Sequence, residues 1–196
     1  MPRVSEEYRE ARRDEIARAA LRVLERKGVR DTSIADIVAE SGLSTGAIYS
    51  HFTNKAELAR YVVGRFLLPR LDTLEIAGAR GDMVSPRDAL LGMLSTFRDT
   101  GLPPALVIQF WGEAMVDAEL HAEMLRTAGR LLDSLTIAIT PWTGAQGTAA
   151  ADVAGQASRC ARTIAALAQG YVANAAVFGP RDIDEYVASA AAALAS

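Results

Sequence analysis

The sequence predicts an all-α protein in which an N-terminal three-helix domain precedes a larger helical domain. Apolar residues recur at helical spacing along nearly all of the 196 residues. No alternating apolar and polar run, rich in β-branched and aromatic residues, is long enough to form a strand. Glycine and proline interrupt the helical pattern repeatedly, so we expect about nine helices joined by short connections.

Cap residues and glycines bound the predicted N-terminal helices. Ser33, with Asp36 three residues later, can form a capping box at the start of the second helix. Gly28 and Gly42 supply C-terminal stops for the first and second helices. The helices predicted in this way run from about Glu6 to Lys27, from Ser33 to Gly42, and from Ser44 onward.

The remaining helices follow the same pattern, with breaks where glycine and proline cluster. Asn54 can cap a longer helix that begins at Lys55 and continues past Pro69 with a kink. A loop is predicted from Pro141 to Gly147. We place the domain boundary after Asn54, so that the two domains are residues 1–54 and 55–196. The other predicted helices cover about Arg87 to Thr100, Pro104 to Val116, Glu119 to Ile139, Thr148 to Phe178 and Asp182 to Ala195.

Composition excludes several classes of protein. With 50% hydrophobic and 23% charged residues, the chain is too apolar to be disordered and too charged to be embedded in a membrane. Cys160 is the single cysteine, so neither an intramolecular disulfide nor a multi-cysteine zinc site can form. Because the first residues are charged and contain no apolar signal region, we expect a cytoplasmic protein without a membrane partner.

The net charge of −3 hides an asymmetry between the two ends of the chain. Residues 1–68 contain 12 Arg and Lys against 10 Asp and Glu, which is a net charge of +2. Residues 69–196 contain 9 Arg and Lys against 14 Asp and Glu, which is a net charge of −5. The N-terminal third can therefore meet a polyanion, through a weak field, while the rest of the chain repels one.

Residues 32–55 carry the pattern that points to function. Two short helices joined by a glycine-containing turn form a helix-turn-helix. The outer face of its second helix is free to enter a DNA groove, where small residues let the backbone approach base edges. Nearby polar side chains can donate to phosphate oxygens, and the start of the preceding helix is a natural anion site. The DNA-binding candidates are Thr32, Ser33, Ser44, Thr45, Gly46, Ala47, Tyr49, His51 and Lys55.

The segment GVRDTSIADIVAESGLSTGAIYSHFTNKAEL resembles the DNA-binding segment of TetR/AcrR-family transcriptional regulators. The resemblance covers about residues 10–66 and is most specific over GAIYSHF at 46–52 and NKAEL at 54–58. It implies an all-helical homodimer whose third helix enters the major groove of a palindromic operator. It also implies a C-terminal domain that binds a small molecule, which weakens operator binding.

The resemblance therefore implies a transcriptional repressor rather than an enzyme, with no metal or other cofactor. Its partners are double-stranded operator DNA and a small hydrophobic effector. Two positions depart from the family pattern. Val38 stands where an alanine is common at the helix crossing, which alters packing slightly. Ala35 cannot hydrogen-bond to a base, so base recognition is expected to depend on the third helix.

The larger domain supplies apolar and aromatic side chains for a ligand pocket between its helices. Such pockets are mostly apolar with a few polar groups, and Gln109 and Asn174 are candidates for the polar role. No cluster of Arg or Lys lies among these positions, so we expect an uncharged or weakly polar ligand. Each residue can equally belong to the ordinary core. The ligand-binding candidates are Met93, Phe97, Gln109, Phe110, Trp111, Met115, Trp142, Tyr171, Asn174 and Phe178.

The last two helices are rich in alanine, which permits close helix approach around a two-fold axis. The family resemblance implies that this pair forms the homodimer interface, although genome composition is an alternative source of the alanines. A dimer is required because two recognition helices must reach major grooves about 34 to 36 Å apart. The alanines concerned are Ala157, Ala161, Ala165, Ala168, Ala175, Ala176, Ala188, Ala191, Ala192 and Ala195.

Other motifs leave alternative functions open. Glu113, Asp117 and His121 recur at four-residue spacing and can hold a metal on one helix face, as in an all-helical metal-assisted enzyme. The run GLSTG at 42–46 matches the serine-hydrolase motif, but a helix is predicted before it where that motif needs a strand. Cys160 is either a small buried apolar residue or a redox-sensing thiol. A ligand carrier that has lost DNA binding is a further alternative.

Overall fold

The computed structural model describes residues 6–66, 69–147 and 149–194, and over this part of the chain it contains ten α-helices and no strand. Side chains are described within these ranges except at 55, 56, 60, 63, 66, 69–72 and 191–194. The helices are α1 (Glu6–Asp31), α2 (Ile34–Ser41), α3 (Thr45–Tyr49), α4 (Lys55–Phe66), α5 (Pro69–Ala79), α6 (Pro86–Thr100), α7 (Pro104–Ala114), α8 (Ala118–Ala145), α9 (Val153–Phe178) and α10 (Ile183–Leu194).

The local signals at the first two helix ends are confirmed. Gly28 interrupts α1 with a φ of 79° and a ψ of 170°, a conformation in which glycine is strongly favoured. Ser33 and Asp36 form the predicted capping box at the start of α2. Gly42 ends α2 in the left-handed region with a φ of 68°. Short-range backbone chemistry therefore determines the path of the chain up to α3.

The N-terminal helices enclose a small core of their own. Ile16 of α1, Ile37 of α2 and Ile48 of α3 are almost completely buried together. Leu58 and Val62 add the inner face of α4 to this cluster. Although we expected the boundary after Asn54, α4 thus packs with the helix-turn-helix and links it to the larger domain.

The larger domain is built around α8 and α9, with α5, α6 and α10 packed against them. Leu90, Leu135, Ile139, Ile164 and Val187 have no measurable exposure and form its centre. The α5–α8 crossing is so close that a Cβ on Gly78 would lie 2.5 to 2.7 Å from backbone atoms of residues 137 and 138. Only glycine fits at this crossing without moving one of the helices.

Two predicted boundaries in this domain are wrong. α8 continues through Pro141 to Ala145, where we predicted a loop. Proline removes one backbone donor and disfavours the helix, but the buried side chains of Ile139 and Thr143 stabilise α8 on both sides of it. α9 begins at Val153, later than the predicted Thr148, which lies outside the described residues. The extra helix relative to the prediction is α5, which starts separately at Pro69.

Five of the seven alanines assigned to a dimer interface whose side chains the structure describes are instead buried within one chain. Small side chains on α9 let α8 and the neighbouring helices approach closely, and they belong to the central cluster of the larger domain. Ala176 is half-buried, Ala188 is exposed, and the side chains of Ala191, Ala192 and Ala195 lie outside the described part. The buried alanines are Ala157, Ala161, Ala165, Ala168 and Ala175.

A third apolar cluster joins the two domains. Leu24 and Val29 at the end of α1 pack against Leu106 and Val107 of α7. Beside this cluster, the backbone N–H of Val29 donates to Oε1 of Gln109 at 2.8 Å. No helix among the described residues has the length and hydropathy to span a membrane.

Candidate nucleic-acid interface and ligand cavity

The second helix of the helix-turn-helix, α3, presents small and polar groups on its outer side. Ser44 caps α3 by accepting a hydrogen bond from the N–H of Ala47 at 3.2 Å. Thr45 and Gly46 are exposed at its first turn, and Tyr49 is 51% exposed at its end. Ile48 on the opposite side is completely buried, which holds α3 against the core. The outer face predicted for DNA contact is therefore open.

His51 and Lys55 follow α3 in the chain. The His51 ring is partly buried, and its Nδ1 has no hydrogen-bond partner among the described residues. Burial lowers the pKa of His51, and the positive charges of Arg9, Arg13 and Arg12 lower it further. These surroundings favour the neutral imidazole of His51 in the free protein, and its ring can contact a phosphate through an N–H group. Lys55 begins α4, and its side chain lies outside the described part of the molecule.

The start of α2 differs from the anion site that we expected. Thr32 is buried, and its hydroxyl donates to the carbonyl of Gly28 at 2.6 Å. Ser33 donates both its N–H and its hydroxyl to Oδ2 of Asp36, at 3.0 and 2.8 Å. Lys27 lies 2.6 Å from the other oxygen of Asp36, and it lowers the pKa of that carboxyl together with Ser33. The carboxylate of Asp36 thus occupies the position predicted for a bound anion.

Charged side chains that the sequence analysis missed hold α1 against α2 and α4. The guanidinium of Arg13 lies against the rings of both Phe52 and Tyr61, 4.6 and 4.7 Å from their centroids. The hydroxyl of Tyr61 donates to Asp14 at 2.8 Å, and Arg65 reaches the same carboxylate at 2.7 Å. Burial and the bond to Asp14 raise the pKa of Tyr61 to about 12. The position of Arg13 three residues before Ile16, on the apolar side of α1, was the available signal.

A cavity of about 510 Å³ lies between the helices of the larger domain. Its wall is mainly apolar, with polar groups from two threonines, Gln169 and Glu123, and the carboxylate of Glu123 is 2.6 Å from Arg126. No Arg or Lys is present among the described residues that line it. The predicted residues that the structure brings to this cavity are Met93, Phe97, Phe110, Trp111 and Met115, and Met124 joins them.

The other five predicted ligand residues do not line the cavity. The hydroxyl of Tyr171 donates to the carbonyl of Arg181, and the amide of Asn174 donates to the carbonyl of Gly170. Gln109 lies on the outer side of α7, where it binds the backbone of Val29. Trp142 is half-buried near the end of α8, and Phe178 is 80% exposed at the end of α9. The spacing of residues along a helix could not distinguish these five side chains from those that line the cavity.

The motifs for other chemistries are not assembled as an enzyme would need. Glu113 lies in α7, Asp117 caps α8, and His121 lies in α8, so the three do not share one helix face as predicted. No three His, Cys, Asp or Glu side chains of the described residues form a group that could hold a metal. Ser44 follows a helix rather than a strand. Burial raises the pKa of the Cys160 thiol, which disfavours the reactive thiolate.

Sequence comparisons identify relatives among bacterial regulators. A model of the family "Bacterial regulatory proteins, tetR family" matches residues 16–62. The chain is 33% identical over 118 residues to the HTH-type transcriptional regulator TtgR of Pseudomonas putida, covering 60% of this chain and 50% of that protein. It is 39% identical over 62 residues to the uncharacterized HTH-type transcriptional regulator YfiR of Bacillus subtilis, covering 32% of this chain and 30% of that protein. The matches thus span half or less of these relatives.

Solved structures match nearly the whole chain. A TetR transcription regulator from Haloarcula marismortui aligns with a TM-score of 0.74 at 17% identity, covering 95% of this chain and 97% of that one. The transcriptional regulator FadR of Bacillus subtilis, solved in complex with stearoyl-CoA, aligns with a TM-score of 0.71 at 16% identity, covering 93% and 97%. At such identities the likeness concerns the fold. Residues 16–62 therefore match the tetR family of bacterial regulatory proteins, and the whole chain shares the two-domain helical fold of these solved regulators.

Proposed function

We propose that this protein is a transcriptional repressor that binds a palindromic operator as a homodimer and is released by a small hydrophobic effector. One observation carries the proposal. The outer face of α3 is open and polar, while its inner face is anchored by Ile48 in the N-terminal core. Because α3 is held in place and unobstructed, it can be inserted as a unit into a major groove.

The contacts divide by chemistry. Thr45 and Gly46, at the exposed start of α3, face the base edges and read sequence. Tyr49, His51 and Lys55 contact phosphate oxygens and set the register. Thr32 and Ser33 support the turn through their hydrogen bonds to Gly28 and Asp36. The ion pairs between α1 and α2 keep this frame from shifting when the duplex binds.

The effector occupies the cavity of the larger domain and acts through the helices that line it. Ala59 of α4 and Val107 of α7 both contribute to the wall, and both helices also pack on the N-terminal domain. On α7, the bond from Val29 to Gln109 adds a directional link to the end of α1. A coupling of about 1 to 3 kcal/mol through these links changes DNA affinity about 5- to 150-fold.

The dimer forms through α9 and α10, using the face that the single chain leaves open. Val177 is 69% exposed and Phe178 is 80% exposed near the end of α9. Ala166 and Ala173 precede them on the exposed side of α9, and Ala188 is exposed on α10. Apolar side chains left open at helical spacing favour a second copy as the partner. The protein acts on chromosomal DNA, so it works in the cytoplasm.

The proposal is tested by fluorescence anisotropy with the DNA that flanks the protein's own gene. Lys55→Ala and Tyr49→Phe should weaken binding to every sequence, and Lys55→Ala should lower the salt slope by about 1. Thr45→Ala should change sequence preference. Lys27, the other lysine of the chain, is paired with Asp36, so Lys27→Ala is the matched control for the slope. Equal salt slopes for Lys55→Ala and the parent would contradict the phosphate contact, and equal affinity for unrelated DNA would contradict operator binding.

A further inference from the structure

Most serine and threonine hydroxyls in the long helices of this protein have the same type of hydrogen-bond partner, but two hydroxyls at the cavity do not. Eight serine and threonine side chains in α6, α8, α9 and α10 donate to the carbonyl four residues earlier, the usual partner of a helical hydroxyl. These residues are Ser95, Thr100, Ser134, Thr136, Thr140, Thr143, Thr163 and Ser189. Three described residues of these helices show no such bond: Ser158 of α9, whose hydroxyl accepts from Arg162 away from the cavity, and Thr96 of α6 and Thr127 of α8, which both line the cavity.

Thr96 is the more constrained of the two. It is 4% exposed, and its Oγ1 is buried without a hydrogen-bond partner among the described residues. A buried hydroxyl without a partner costs free energy, which the bond to the preceding turn would have avoided. Because Thr96 lines the cavity, its unpartnered hydroxyl is the group available to a polar atom that enters there.

The charges around the cavity restrict the chemistry of that polar atom. No described lining residue is Arg or Lys, so nothing here offsets the cost of desolvating an anion. The carboxylate of Glu123 is already 2.6 Å from Arg126. Thr96 can instead form a hydrogen bond with an uncharged group, such as a hydroxyl or a carbonyl, whose desolvation costs little free energy.

We infer that Thr96 determines ligand specificity, and that the effector is an uncharged hydrophobic molecule carrying one hydrogen-bonding oxygen that meets the Thr96 hydroxyl. Thr127 lines the same cavity and supplies a second hydroxyl. The methionine and aromatic wall accepts the apolar body of the ligand with little demand on its shape. This inference depends on the effector cavity of the proposed function, but it does not depend on DNA binding.

The test uses two matched probes, 4-hydroxybiphenyl and 4-methylbiphenyl, which differ by a hydroxyl in place of a methyl group. Each displaces the uncharged fluorescent dye N-phenyl-1-naphthylamine from the full-length protein. The measured quantity is the ratio of the two affinities. Thr96→Val should shift this ratio about tenfold toward the methyl compound, the change that one net hydrogen bond corresponds to. Thr96→Ser keeps the hydroxyl and should keep the parent ratio.

Thr143→Val is the matched control, because Thr143 is equally buried but its hydroxyl is bonded to the carbonyl of Ile139 at 3.0 Å. Thr143→Val should leave the ratio unchanged and lower the melting temperature. Thr96→Val loses no bond, so the melting temperature of the free protein should stay the same or rise.

The same ratio in Thr96→Val and the parent would overturn the inference, as would an equal shift in Thr143→Val or a shift confined to Thr127→Val. Absence of dye binding in the parent would overturn the effector cavity itself, and the inference with it. DNA binding measured by anisotropy remains a separate result in every case.

Discussion

The two domains hold their functional surfaces in different ways. Around the helix-turn-helix, directional polar contacts join the helices, as where Arg22 and Arg26 of α1 lie 2.6 and 2.5 Å from Glu40 of α2. Around the cavity, flexible methionines and aromatic rings form most of the wall. A DNA-contacting helix needs a fixed position relative to the duplex, whereas an effector site needs a wall that can repack. The difference supports the proposed division, in which α3 recognises DNA and the cavity wall adapts to a ligand.

Truncating a large buried side chain in one domain should have the largest effect. It should abolish the activity of that domain while the activity of the other domain persists. Ile48→Ala removes a buried side chain of the N-terminal core and should cost about 2 to 5 kcal/mol, abolishing DNA binding while dye binding persists. Ile139→Ala in the larger domain should do the reverse and remove dye binding first. Anisotropy and dye titration on each variant measure the two activities. Simultaneous loss of both activities in both variants would show that the domains unfold as one unit.

Close helix packing in the larger domain is the next feature to test. Gly78→Ala places a methyl group against the α8 backbone and should cost about 1 to 3 kcal/mol in urea denaturation. Gly64→Ala on α4 meets nothing within 4 Å, so it should stabilise the protein by about 0.5 to 1 kcal/mol. An equal change in unfolding free energy for the two variants would mean that α5 and α8 lie farther apart than in this structure.

The link between the domains should weaken when the Gln109 side chain loses its oxygen. Gln109→Leu removes the acceptor of the Val29 N–H, whereas Gln109→Glu keeps an oxygen at that position. Because Gln109 is exposed, water competes for this bond, and its net value is about 0.5 to 1.5 kcal/mol. Amide exchange at Val29 should therefore accelerate about 2- to 10-fold in Gln109→Leu and return toward the parent rate in Gln109→Glu. Similar exchange rates at Val29 in both variants would show that the Gln109 side chain does not couple α7 to the end of α1.

Acid should weaken the N-terminal domain before the larger domain, which is the smallest effect expected. The hydrogen bonds from Arg65 and then Tyr61 lower the pKa of Asp14 below the value of about 3.9 for a free carboxyl. The folded state thus binds this proton less readily than the unfolded chain does. Its stabilisation is present above that unfolded pKa and is lost as the pH falls through the folded pKa.

Amide exchange in α1 and α4, compared with α9 between about pH 5 and pH 3, measures the acid effect. Asp14→Asn should remove part of the pH dependence from α1 and α4. Among the described residues, lowered carboxyl pKa values occur at Asp14, Asp36 and Glu40, all in the N-terminal domain. Earlier loss of protection in α9 would contradict this assignment.

Features that depend on neighbours along the chain could be predicted from the sequence. The Ser33–Asp36 capping box, the left-handed Gly42 and the Ser44 cap are each decided within about four residues. They locate α2 and α3, and with them most of the proposed DNA-binding face. A local rule failed where packing against residues far away in the sequence decides the conformation. Pro141 was expected to end α8, and burial on both sides overrides its helix-breaking effect.

The cavity could be predicted only in part. Met93, Phe97, Phe110, Trp111 and Met115 line it in the structure, and their contact with a ligand stays a prediction. The predicted polar anchors Gln109 and Asn174 bind backbone groups instead. Hydrophobic periodicity predicts that a side chain faces the other helices. It does not predict whether that side chain packs against a neighbour or lines a cavity.

The sequence alone determined the helical class, the caps and the helix-turn-helix, because these depend on backbone geometry and hydrogen bonds over a few residues. Tertiary structure decided the rest: which alanines of α9 are buried, which threonine hydroxyls lack the usual helical bond, and which residue joins α7 to the end of α1. Those outcomes depend on distances between segments far apart in the chain. They are determined only when all the helices pack at once, as the approach of Gly78 to α8 illustrates.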